Sequence, residues 1–255
     1  EGSAPGNMVF NTDGTRMFVV DNAGDEVNQY NLSTAYDLTT AVYNNRFSLG
    51  VLVPTSMRFN NTGTKLYVAD SATASLYQYT LSTAFQIETA TLDADRRIYL
   101  GALVGNVRGF DIKSTTGTEI YLVGDVNDTV YQYTLPTAWN VLSISNGNVL
   151  FVEDNENTPT GLSVGDSGTK LYITGEASDD VWQYDMSTAY NITTATYNAK
   201  KYVPYYNGLE AGVRFNSTGT KMFVYERTRA VLMQHILSTP WDVTTATLDY
   251  AFSTL

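Results

Sequence analysis

The sequence has no cysteine in 255 residues. Disulfides, thiolate nucleophiles and cysteine-held zinc or iron–sulfur centres are therefore excluded, although the absence assigns no compartment. Histidine occurs once, at His235. Basic residues are few: 15 Lys and Arg stand against 26 Asp and Glu, for a formal net charge of −11. A chain of that sign is not built to hold a nucleic-acid backbone or to insert into an anionic membrane. No apolar run approaches the roughly 20 residues of a membrane-spanning helix. The chain opens at Glu1 without a methionine or leader, so it reads as processed or cut from something longer.

Hydrophobic residues make up 43% and charged residues 16%, a globular composition rather than a disordered one. The 19 tyrosines, with plentiful threonine and valine, are the vocabulary of strands. One phrase recurs: VNQYNLSTAY (27–36), LYQYTLSTAF (76–85), VYQYTLPTAW (130–139), VWQYDMSTAY (181–190) and LMQHILSTPW (232–241). Glycine turns keep the same beat at Gly14, Gly63, Gly117, Gly168 and Gly219, spaced 49, 54, 51 and 51 residues apart. Each unit of about 51 residues holds a short apolar strand, a tight glycine turn, a second strand, a polar loop, the repeated phrase and a fourth strand. Four antiparallel strands repeated five times predict an all-β, five-bladed β-propeller spanning 1–255 as one domain, with repeats at approximately 1–50, 51–101, 102–153, 154–206 and 207–255. The last segment, YAFSTL, matches a fourth strand, so the ring should close without exchanging a strand, its first and last blades meeting by side-chain packing alone.

The combination F-x-x-[DNST]-G-T-[KR]-[ML]-[FY]-V, then Q-Y-x-L-S-T-A-[FYW], then T-T-A-T resembles an uncharacterised class of repeat β-propellers from marine and other bacteria and their phages. More distantly it is similar to lactonase-like propellers. The resemblance covers essentially the whole chain and rests on turn and core positions. It implies an extracellular, cell-surface or virion setting and a role in binding, adhesion or structure.

His235 fills the slot of Tyr30, Tyr79, Tyr133 and Tyr184, so it reads as a packing ring; a serine triad would need this histidine and is disfavoured. Trp139 and Trp241 share a slot with Tyr36, Phe85 and Tyr190. The first strands align so that Val9, Arg58, Asp111, Ser163 and Arg214 ring one level of the central channel. One carboxylate in five does not make the flanking pair of a glycosidase. Arg58 and Asp111 should pair, leaving Arg214 free to meet an anion or water; the other reading is a salt-bridged plug.

Acids crowd the loops between second and third strands (Asp21, Asp25, Glu26, Asp70, Asp125, Asp128, Glu176, Asp179, Asp180, Glu226) and the connections between blades (Glu153, Asp154, Glu156, Glu210). Both sets fall on one face, which should be solvated and negative. DNAGDE (21–26) is the segment nearest to a calcium loop, without the full spacing of one; otherwise no metal or cofactor is expected. Tyr202, Tyr205 and Tyr206, in KYVPYYNG, suit sugar stacking or a protein contact, or else cover a blade edge. Arg58, Asp111, Arg214 and these tyrosines are the candidate ligand contacts. The expected function is a non-catalytic module that meets a protein or glycan partner. The alternative is a metal-dependent hydrolase of the lactonase or glycosidase type.

Overall fold

The computed structural model describes residues 5–124, 128–152, 154–203, 212–227 and 229–253. Among the described residues twenty strands form five four-stranded antiparallel sheets, each built from consecutive strands: β1–β4 (5–48), β5–β8 (54–99), β9–β12 (107–151), β13–β16 (159–202) and β17–β20 (213–253). The first sheet shows the plan, with β1 Pro5–Phe10, β2 Arg16–Asp21, β3 Glu26–Leu32 and β4 Ala41–Ser48. From the first sheet through to the fifth, the first strands of successive sheets touch one another, which puts them innermost around a common axis. The sheets are therefore the blades of a five-bladed propeller. Among the described residues helix is confined to Gly101–Val104 and short 3₁₀ turns.

Burial falls off radially. Second strands are buried along their length, as in β2, whereas fourth strands alternate between half-buried and exposed residues. The fourth strand also begins earlier than its apolar end, RRIYL (96–100), suggests: β8 runs Ala90–Tyr99 and takes in the stretch that follows the repeated phrase.

The repeated phrase ends in an aromatic with positive φ, between 56° and 65° at Tyr36, Phe85, Trp139, Tyr190 and Trp241. That twist lays the ring over the turn glycine of the same blade. At Gly219, with φ +70°, an added Cβ would lie 2.3 Å from the Trp241 ring. The aromatic N–H donates to the glycine carbonyl, at 2.9 Å for both Tyr36 to Gly14 and Trp241 to Gly219.

The aromatic carbonyl then faces the preceding blade, and something there always meets it. Tyr67, Tyr121 and Tyr172 donate their hydroxyls to the carbonyls of Trp139, Tyr190 and Trp241 at 2.6, 2.9 and 2.7 Å. Burial raises the pKa of Tyr121 and Tyr172, keeping those hydroxyls protonated as donors. Phe18 and Phe223 hold the same slot without a hydroxyl. In those blades Arg16 reaches Phe85 O and Lys221 reaches Tyr36 O, each at 2.9 Å.

Among the described residues no strand is exchanged at closure, as expected. The closing seam is nonetheless more than packing. Gln234 Oε1 accepts the N–H of Leu38 at 2.9 Å, the same latch that Gln132 and Gln183 make to the blades that follow them, and Lys221 bonds Tyr36.

Candidate functional site

The axis is where an innermost ring of side chains converges. In β5 (Pro54–Phe59) the pleat turns Arg58 inward, and in β9 (Val107–Ile112) it does the same for Asp111. They pair in a two-pronged contact: Nε to Oδ1 at 2.8 Å and Nη2 to Oδ2 at 2.6 Å. Asp111 Oδ2 also accepts the N–H of Val164 from the next blade, at 3.0 Å. Both carboxylate oxygens are thus engaged inside the protein.

Arg214, on β17 (Val213–Phe215), is not free to meet an anion. It is buried, and its Nη1 donates to the carbonyls of Leu162 at 2.5 Å and Val213 at 3.0 Å. Nη2 reaches the Phe110 carbonyl at 3.5 Å. Burial, and secondarily the Arg58 charge, push its pKa down to about 9 against the opposing pull of Asp111, so it is still a cation at neutral pH. The expectation of a loose arginine fails because the narrow axis brings carbonyls of three blades within its reach. Val9 and Ser163, the remaining slot residues, are buried too. The slot is a plug with its polar groups largely internally satisfied.

The acidic face also differs from expectation. Asp21, Glu26, Asp70, Glu156, Asp180 and Glu226 are buried, not solvated. The tight loops leave backbone N–H groups turned inward, and the carboxylates accept them. Asp70 takes Ala72 N–H at 2.9 Å and, across to the preceding connection, Leu52 N–H at 3.0 Å. Glu156 takes Thr158 and Ala177 N–H, both at 3.0 Å. These acids staple loops together. In the DNAGDE segment Asp21 accepts Ala23 N–H at 3.0 Å, while Glu26 faces Arg46 at 3.6 Å. Among the described residues no three acidic or histidine side chains gather as metal ligands. Asp125, Glu153 and Glu210 lie outside the described residues.

His235 packs in the core, 2% exposed, and burial, with a smaller effect of Lys201, pushes its pKa down to about 4. Trp139 and Trp241 are half-buried corner aromatics. Tyr205 and Tyr206 lie outside the described residues, whereas Tyr202 ends β16 (Ala195–Tyr202) and is 58% exposed. Register shows what sequence reading missed. Tyr202 opposes Asp180 as Tyr99 opposes Ser75 and Phe151 opposes Thr129, so the three aromatics share one repeat slot. Tyr99 and Phe151 are 64% and 71% exposed. The first and last blades carry Ser48 and Ser253 there. Aligning the fourth strands would have exposed this arc; the two-residue insertion in β8 hid it.

No family model and no curated protein matches the chain. Solved structures do. The β-propeller domain of Myceliophteria thermophila Cps50 (Swd1) superposes with a TM-score of 0.55 at 14% identity, covering 99% of this chain and 72% of that one. A "putative 6-phosphogluconolactonase" from Bacteroides fragilis gives a TM-score of 0.56 at 14% identity, covering 97% and 69%. A "functionally unknown protein" from Desulfotomaculum acetoxidans gives 0.55 at 10% identity, covering 98% and 70%. At these identities the likeness shows the propeller fold, including distant lactonase-like neighbours, and selects no activity.

Proposed function

We propose that this propeller recognises or assembles and turns over no substrate. It acts as a binding or structural module outside the cell, on a cell surface or on a virion, where it meets a protein or glycan partner and needs no cofactor. The observation that supports this most is the filled axis. Asp111, the one carboxylate of the slot, has both oxygens engaged by Arg58 and Val164, and Arg214 is spent on backbone carbonyls. A hydrolytic metal needs open carboxylate ligands and a water position, and a general base needs a partner within hydrogen-bond reach. The aromatic arc of Tyr99, Phe151 and Tyr202 supplies exposed stacking surface of the kind that interfaces use.

The competing reading, a metal-dependent lactonase, draws on the names of two neighbours from Bacteroides. Purified protein assayed against lactones and aryl glycosides with Ca²⁺, Mg²⁺, Mn²⁺ or Zn²⁺ separates the two. The expected outcome is no turnover above buffer. Metal-dependent hydrolysis that Asp111→Asn abolishes would overturn the proposal.

A further inference from the structure

On the face carrying the glycine turns, a cleft of about 600 Å³ opens between the second and third blades. That size lies within the roughly 300–1,000 Å³ of small-molecule sites. Its floor is a polar network. Asp93 accepts Gln78 Nε2 at 2.7 Å and Thr80 Oγ1 at 2.6 Å, and Lys65 Nζ lies 3.3 Å from the same carboxylate. From the third blade, Trp139 and Asn140 form the opposite wall.

Two departures from the repeat meet here. Register gives the first. In the first blade Tyr30 opposes Tyr43 and Asn28 opposes Arg46, leaving two residues between partners. In the second, Tyr79 opposes Leu92 and Tyr77 opposes Arg97, leaving four, so the outer strand carries a two-residue insertion after Asp93, whose own position is held by Asp249 in the last blade.

The second departure is an unmatched acceptor. Gln132, Gln183 and Gln234 each accept, through Oε1, the N–H of a 3₁₀ turn on the next blade, at 3.0, 3.1 and 2.9 Å. Gln78 is 4% exposed and lines the cleft, yet its Oε1 has no partner among the described residues. Rotating the amide would not help, because Asp93 holds the NH₂ end in place and would repel an oxygen. Gln29 Oε1 is orphaned as well. There, however, Arg16 reaches across the seam to Phe85. At the second seam Lys65 turns back to Asp93 instead, and the cleft remains.

We propose that this cleft binds a neutral saccharide. Lys65 and Asp93 balance in charge, so the lining favours no ion. Hydroxyl groups can both donate to Gln78 Oε1 and share the donors and acceptors around Asp93 and Asn140. The indole of Trp139 offers apolar surface to the C–H face of a sugar ring. The proposal rests on the binding-module reading and gives it a site, away from the aromatic arc.

The test is a fluorescence and calorimetric titration with a panel of neutral hexoses, N-acetylhexosamines and their disaccharides. At least one sugar should bind saturably and change the tryptophan emission of the wild type. Trp139→Phe, conservative because Phe85 fills the same slot, should lose that emission change. Asp93→Ala should weaken binding at least tenfold, and Val42→Ala, at an exposed position of the first blade, should leave it unchanged. If Asp93→Ala melts early, Asp93→Asn replaces it with the same expectation. Absence of binding by every sugar overturns the site, as does binding that survives the Asp93 variant. Either result leaves the non-enzyme reading standing, since only turnover in the hydrolysis assay removes that.

Discussion

His235 shows how a single residue sets a pH response in a protein otherwise built from phenols. Its folded pKa of about 4 lies below the roughly 6.5 of an unfolded chain, and its Nδ1 has no partner among the described residues. The unfolded state therefore binds the extra proton first. Stability from this group is complete above pH 6.5 and is lost as pH falls toward 4. Urea unfolding at pH 7 and pH 4.5 should reveal a loss on the order of 2 kcal/mol that His235→Phe does not share. Hydrogen bonds from Thr15 and Thr39 hold the carboxyls of Asp13 and Asp37 below the usual range, and against the upward push of burial hydrogen bonds and a lysine do the same for Asp93 and Asp185, so their contribution is lost only at lower pH. Equal slopes in the two proteins would show that the ring is solvated. The axial pair is the second residue-scale test. Asp111→Ala leaves Arg58 and Arg214 facing each other without a counter-charge, which should cost about 3–5 kcal/mol in denaturant unfolding. The double variant Arg58→Met/Asp111→Leu should cost less than Asp111→Ala alone.

At the scale of the element, the repeated phrase was legible as a strand and a corner, and five copies were enough to count blades. Its logic across the seam was not legible. The exchange of Tyr67, Tyr121 and Tyr172 for Phe18 and Phe223 looks like a neutral swap of aromatics. Only the structure shows that Arg16 and Lys221 take over the lost hydroxyl's carbonyl. Loop acids misled for a related reason: a carboxylate that caps inward-turned N–H groups has the same letters as one in water. The corner itself invites a paired substitution. Gly219 and Gly50 have nearly the same φ, +70° and +67°, but a Cβ at Gly219 strikes the Trp241 ring and one at Gly50 meets nothing within 4 Å. Gly50→Ala should therefore cost only the left-handed backbone term, about 1–2 kcal/mol. Gly219→Ala should cost more, because the ring must also move. Similar midpoints in thermal or urea melts would mean that the corner is loosely packed.

For the whole molecule, the decisive feature is how a ring without an exchanged strand stays shut. Four seams are backed by the chain running from blade to blade, whereas the seam between the last and first blades relies on side chains. Gln234 holds Leu38 N–H, Lys221 holds the Tyr36 carbonyl, and Tyr30 packs edge-on against Phe252 with ring centroids 5.5 Å apart. The same glutamine latch serves Ile192 and Val243 at internal seams, at 3.0 and 3.1 Å. Equivalent bonds in equivalent burial should open with similar free energies, at the closing seam as at the internal ones. Native-state hydrogen exchange should find the Leu38 amide no better protected than those of Ile192 and Val243. Gln234→Leu would leave a buried N–H unpaired, at about 1–3 kcal/mol, and should accelerate exchange at Leu38 before any internal seam responds. If Leu38 proves the slowest of the three amides, closure depends on contacts other than this latch, and the five blades are not equivalent partners in the ring.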